Sequence, residues 1–209
     1  FARGRSDVGC RDAARGSVRA GGEGPRAPAD RGGRERLGGA AAGLHLLDGL
    51  EVPTLPPEAA DALRARQLEP RPRLAAGAAL ARLGAHAAID VSDGLAADAG
   101  HMASASGVRL VIDDPPVPAQ PGVAEVAHAA GREAAELALA GGEDYELLAA
   151  MPADRVDGAL RELRAHGLDP AVVGRVETGE GVVLGGATAG GLAVRGYDQV
   201  HSPARDAPT

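Results

Sequence analysis

The chain has 209 residues, a formal net charge of -7 and one cysteine. This is room for one domain, with or without a fragment of another. The acidity argues against a general binder of nucleic acid or anionic membranes, and the single Cys10 excludes an internal disulfide framework and a multi-cysteine zinc site. No apolar run approaches the roughly 18 residues of a membrane span, and no charged-then-apolar signal segment opens the chain. The cytoplasm is the expected compartment.

Hydrophobic residues make up 44% of the chain, but much of that is alanine, with one Phe, two Met and no Trp. At roughly 25 cal/mol per Å² of buried apolar surface, small side chains give a modest driving force. Lysine and asparagine are absent, so all 22 basic residues are arginine. A GC-rich coding sequence writes this bias, which carries no function.

Residues 1–36 hold nine Arg against five acids, a net of +4 that leaves -11 for residues 37–209. They show neither a 3.6 nor a 2.0 period. An irregular leader is expected here, disordered or read out of frame; the alternative is a basic arm for an anionic partner. From Leu37 the pattern becomes globular. A helix is predicted over Leu37–Leu50, opened by Gly38-Gly39, with Leu44, Leu46, Leu47 and Leu50 on or near one stripe. Glu58–Leu68 follows Pro56-Pro57 as an amphipathic helix, and Leu74–Leu83 as an Ala-rich helix ending at Gly84. Ala87–Val91 reads as a short buried strand. Ser92-Asp93-Gly94 turns it into a helix from Leu95 to about Ser106, which Gly107 stops. Val108–Ile112 is a second strand, followed by a loop over Asp113–Pro121. Helical segments cover roughly Val123–Ala130 and Glu133–Ala140. Tyr145–Met151 is a strand, Asp154–His166 a helix and Ala171–Val176 a strand. Gly181–Leu184 and Leu192–Val194 read as a final hairpin. Strands alternating with helices predict an α/β (α+β) fold, a mixed sheet with packed helices.

Three motifs stand out. In Ile89-Asp90-Val91-Ser92-Asp93-Gly94-Leu95 a strand ends on two acids and a hydroxyl before a glycine turn and a helix. Asp90 and Ser92 leave the same face of an extended strand. Hard oxygen ligands at a strand end suit Mg²⁺ and a nucleotide phosphate; the same pattern also describes an ordinary helix cap by Ser92 or Asp93. In Gly141-Gly142-Glu143-Asp144-Tyr145-Glu146-Leu147 a diglycine lets backbone approach a ligand, unless it is only a turn into an edge strand with solvated acids. Gly196-Tyr197-Asp198 holds the second of two tyrosines, either a platform for a ligand ring or an anchor for the tail.

His45, His86, His101, His128, His166 and His201 show no metal-ligand spacing, and a packing role is expected for His101. Asp113-Asp114 reads as a plain turn. Cys10 has no partner base in view and is not expected to act as a nucleophile. The chain has no P-loop, no GxSxG and no kinase catalytic loop.

In this order, the motifs resemble the C-terminal half of thiamine-monophosphate kinase. The resemblance runs over roughly residues 37–200. It is carried by Ala41-Ala42-Gly43-Leu44, Pro70-Arg71-Pro72-Arg73-Leu74, Ala88 through Leu95, Asp98 with Gly100-His101, Ser106-Gly107-Val108, Gly141 through Leu147, Gly174-Arg175-Val176 and Gly196-Tyr197-Asp198. It implies a fold like the C-terminal domain of the aminoimidazole ribonucleotide synthetase superfamily. It also implies transfer of the γ-phosphoryl of ATP to thiamine monophosphate, giving thiamine diphosphate. By likeness Asp90 and Asp93 would hold Mg²⁺, Ser92 would contact ATP, and Glu143 and Tyr197 would contact thiamine monophosphate. No residue is assigned as a catalytic base, because positioning and charge neutralisation carry such a transfer. A homodimer is the family expectation. The family's N-terminal Gly-Asp-Asp metal motif, Asn-rich helix and Gly-Gly-Asp segment have no counterpart in these residues. A C-terminal kinase-like domain over 37–200 is therefore expected, with a tail over 201–209 and turnover impaired by truncation. The alternative is a non-catalytic α/β fragment that binds a ligand or partner.

Overall fold

The computed structural model describes residues 36–113 and 119–185, together with the backbone of 16–21. Six strands form one sheet: β1 (Gly16–Gly21), β2 (Ala87–Val91), β3 (Arg109–Asp113), β4 (Glu146–Pro152), β5 (Ala171–Glu177) and β6 (Gly181–Gly185). Their order across the sheet is β2-β4-β1-β5-β3-β6. Every neighbouring pair is antiparallel except β3 and β6. The helices are α1 (Gly39–Leu47), α2 (Pro57–Leu68), α3 (Leu74–Arg82), α4 (Leu95–Ser106), α5 (Val123–Ala129), α6 (Ala134–Ala140) and α7 (Val156–Ala165).

Strand alternation divides the core. The register Ile89↔Leu148 and Val91↔Glu146 puts these four residues on one face of the sheet. There Val91 and Leu148 join Leu95, Ala99 and Met102 of α4 and Leu110 and Ile112 of β3. The intervening residues Leu147 and Ala149 face the other way, onto Ala76, Ala79 and Leu80 of α3 and Leu163 of α7. Helices on both faces of the sheet follow from strands apolar on both sides. A satellite core of Ala42, Leu46, Leu63, Val123, Val126 and Leu137 ties α1, α2, α5 and α6 together.

The stripe predicted for α1 is corrected. Leu46 is buried, but Leu44 and Leu47 are 44% and 41% exposed. The buried face is Gly39, Ala40, Ala42, Gly43 and Leu46. A Cβ on Gly43 would lie 2.1 Å from the Leu63 carbonyl oxygen, so α1 and α2 meet nearly backbone to backbone. Only small residues permit that approach, which turns the bulkier leucines outward.

The expectation that residues 1–36 stay wholly irregular is also corrected at one place. Gly16–Gly21 is a strand, paired with β4 on one side and β5 on the other. Val18 is the one strong strand former in Gly-Ser-Val-Arg-Ala-Gly. Local propensity therefore hides this strand, and two-sided backbone pairing makes it.

β5 and β6 run in opposite directions with β3 between them. Arg109 at the start of β3 faces Glu177 on one side and Gly181 on the other, so the link 178–180 straddles the end of β3. The expected hairpin partner of β6, Leu192–Val194, lies outside the described residues, as do Cys10, Tyr197, His201 and the tail 201–209. Among the described residues, no helix is long and apolar enough to cross a membrane.

Candidate functional site

The two acidic motifs are far apart in sequence and zipped together in space. The Glu143 amide donates to the Ser92 carbonyl and the Tyr145 amide to the Val91 carbonyl, both at 2.8 Å. A Cβ on Gly142 would stand 2.6 Å from the Ser92 carbonyl oxygen, so the diglycine is what lets the strands close. Glu143 and Tyr145 adopt φ values of 66° and 49°, a left-handed region costly for residues with a Cβ. The surrounding bonds hold them there.

The turn after β2 is organised by the helix that follows it. The Asp98 carboxylate Oδ2 accepts from the Ser92 amide at 2.9 Å and the Asp93 amide at 3.0 Å. The residue at the start of α4 is Gly94, and no side chain caps that helix. Capping by Ser92 or Asp93 is therefore corrected. A helix acid reaches back to the turn, which leaves the Asp93 carboxylate available. Burial pushes the Asp98 carboxyl above the usual range, and the neighbouring Asp93 charge adds to the rise; the two amides and His101 oppose it.

Asp93, Asp98 and His101 bring one ligand atom each to within 4.8 Å of one another. His101 is exposed, with Nε2 at 3.9 Å from Asp93 Oδ2, so it is not a packing residue. The carboxylate oxygens of Asp93 and Asp98 are the hard ligands that Mg²⁺ prefers. Asp90 does not join this cluster: it is exposed on β2, on the face opposite Ile89 and Val91.

The second motif is anchored from behind. Asp144 is fully buried, and its two carboxylate oxygens accept from the Gly38 amide at 2.6 Å and the Ala40 amide at 3.0 Å, at the start of α1. Burial pushes its carboxyl up to about 7, against the pull of those two amides and Arg66. Arg66 of α2 donates to the Asp144 carbonyl and to Glu146. Arg73 donates to the same Glu146 oxygen at 2.7 Å. Arg66, Arg73 and Glu146 are all buried, a paired arrangement that a charge in the interior requires. Gln67 Nε2 donates to the Glu143 carboxylate, which is half-buried at the mouth of the site.

The model of the family described as AIR synthase related protein, C-terminal domain, matches residues 32–186. The chain belongs to this family. Among curated relatives, thiamine-monophosphate kinase of Methanopyrus kandleri is 42% identical over 138 residues, covering 66% of this chain and 40% of that protein. Among solved structures, AaThiL complexed with AMPPCP and TMP superposes with a TM-score of 0.67 at 32% identity, covering 87% of this chain and 50% of that one. Thiamine-monophosphate kinase from Stenotrophomonas maltophilia K279a gives 0.66 at 34%, covering 81% and 49%. The chain thus spans half the length of these relatives or less.

In this member of the AIR synthase related C-terminal domain family, the structure brings Glu143 against Ser92 by a backbone hydrogen bond, next to Asp93 in the same turn. Asp90 stands apart from the acidic cluster, and Tyr197 lies outside the described residues. The anchoring of the second motif by a buried Asp144 is not visible in the sequence, where solvated acids on a turn are an open alternative. Sequence reasoning also missed Arg66 and Gln67, and that Glu146 of the motif is buried between two arginines. The available signal was Arg66 and Arg73 flanking a loop next to exposed helix ends; an arginine pair gives no periodicity and names no partner.

Proposed function

We propose that the chain is the C-terminal part of an ATP-dependent thiamine-monophosphate kinase. The observation that carries this reading is the clasp of Ser92 to Glu143, which sets the turn after β2 beside an acidic loop in a chain 42% identical to such a kinase over 138 residues. The solved complex of AaThiL with the ATP analogue AMPPCP and with TMP supports both substrates.

In this reading Ser92 contacts the ATP phosphates. Asp93 with Asp98 would hold one Mg²⁺ ion and Asp90, on the opposite face of the adjoining strand, a separate one; Mg²⁺ would supply charge neutralisation on the phosphates. Glu143 and Tyr197 contact thiamine monophosphate, with Glu143 opposite its cationic heterocycle and Tyr197 against a ring. A phosphate oxygen of thiamine monophosphate attacks the γ-phosphorus in line, the bond to the ADP oxygen breaks, and thiamine diphosphate and ADP result. The residues contribute orientation and exclusion of water. We place the reaction in the cytoplasm and the assembled enzyme in a homodimer.

A second reading is a domain that binds the ligands without turning them over. The test separates the two. The chain is incubated with ATP, Mg²⁺ and thiamine monophosphate, and thiamine diphosphate is read as thiochrome fluorescence. Product that disappears in Asp93→Ala supports the kinase. Ligand binding without product supports the binding domain, and neither product nor binding overturns both.

A further inference from the structure

Glu143 is held from two directions. Its amide is fixed to Ser92 at 2.8 Å, and its carboxylate Oε2 accepts from Gln67 Nε2 across 76 residues of chain. Gln67 is itself well placed. It follows Arg66, which grips the next residue of the loop through the Asp144 carbonyl. Its Cβ lies 3.2 Å from where a Cβ on Gly43 would stand, so the α1–α2 contact fixes its stem. Two successive residues of α2 thus hold two successive residues of the loop. Gln67 has no charge. It aims the carboxylate without neutralising it, which an Arg or Lys in its place would do. Among the described residues, Glu143 Oε1 receives no hydrogen bond, which leaves it for a ligand.

We infer that Gln67 is a positioning residue that aims the Glu143 carboxylate at a cationic ligand, and so sets affinity for thiamine monophosphate over neutral analogues. The inference rests on the assignment of Glu143 to thiamine monophosphate made above. The hydrogen bond from Gln67 falls on the Glu143 carboxylate, whereas the turn at Ser92 is held by the Glu143 amide.

The test is calorimetric titration of the chain with thiamine monophosphate, and separately with AMPPCP and Mg²⁺, for wild type, Gln67→Leu, Gln67→Glu, Glu143→Gln and the double variant Gln67→Leu/Glu143→Gln. Expected is a loss of about fivefold or more in thiamine monophosphate affinity for both Gln67 variants, the size of one hydrogen bond. AMPPCP affinity stays within about twofold, and Gln67→Leu adds nothing once Glu143 is already Gln. The isosteric Gln67→Glu carries the test if Gln67→Leu fails to fold. Glu143→Gln weakening thiamine monophosphate binding while both Gln67 variants bind as wild type overturns the inference and leaves the function standing. So does a full further loss from Gln67→Leu in the Glu143→Gln background, which marks a structural role. No binding by wild type at millimolar ligand, or no effect of Glu143→Gln, overturns the functional reading and the inference with it.

Discussion

The Asp144 carboxylate accepts a hydrogen bond from the Gly38 amide at 2.6 Å, across 106 residues of chain. With the Ala40 amide on its other oxygen, it does for α1 what a local cap does for most helices. It also fixes the loop of the candidate site to the first helix of the domain.

Asp144→Asn keeps the shape but supplies one acceptor where two are used, and turns an amide toward a backbone donor. With the site fully buried, a loss of about 1–3 kcal/mol is expected for the unsatisfied group. Urea unfolding followed by circular dichroism measures it. A midpoint equal to that of wild type would show that the contact contributes nothing.

The same residue sets a pH dependence. Its carboxyl is raised from 3.8 to about 7 in the folded chain, chiefly by burial. The folded state then binds the proton more tightly than the unfolded state. The contribution to stability is fully present below the unfolded value and is lost as pH rises through about 7. Asp98 is raised too and acts in the same direction. Urea midpoints of wild type should fall between pH 4 and 7.5, and Asp144→Asn should flatten part of that slope. Equal slopes in the two proteins contradict the assignment.

Gly43 faces the Leu63 carbonyl with no room for a Cβ. Gly43→Ala should force α1 away from α2 and cost about 1–3 kcal/mol, the range for overpacking a tight contact. Helix propensity acts the other way, since Ala is the better helix former by about 1 kcal/mol. A net increase in melting temperature would show that the helices separate at little cost.

β1 pairs on both sides, with Ala20 opposite Leu148 and Ala171 and clear of the register shift between Val18 and Arg19. Proline is confined to edges and bulges in sheets because it cannot donate to the ladder. Ala20→Pro should therefore lower stability by about 1–3 kcal/mol, one lost backbone bond or more. An unchanged unfolding midpoint, with hydrogen exchange at β4 and β5 also unchanged, would remove β1 from the centre of the sheet.

Asp93 stands 3.9 Å from His101 and shares the cluster with Asp98. If it holds the metal, Asp93→Asn should weaken Mg²⁺-dependent AMPPCP binding by about tenfold or more, in the range that loss of a ligand or its support produces. Chelation with EDTA should abolish the difference between the two proteins. A variant that binds AMPPCP with Mg²⁺ as wild type does would move the metal elsewhere.

Much of the fold was legible in the sequence where local signals repeat. Ala87–Val91 and Leu95–Ser106 form the strand and helix predicted for them, because a short apolar run bounded by Ser92-Asp93-Gly94 and a helix bounded by Gly107 are each specified by neighbours. The motif pair was legible as two acidic turns. Its geometry was not, since nothing in Gly141 through Leu147 says that the Glu143 amide will reach the Ser92 carbonyl.

The sequence by itself determined the alternation of strands and helices, the positions of the turns and the residue types available for chemistry. Those follow from side-chain period and backbone freedom, which act over a few residues. Only the tertiary structure decided that Asp144 is a buried cap, that Arg66 and Arg73 share Glu146, that Leu44 and Leu47 face outward, and that Gly16–Gly21 is a central strand. Each of these depends on which surfaces close on one another, and close contact between distant segments is set by packing and by the need to satisfy every buried polar group.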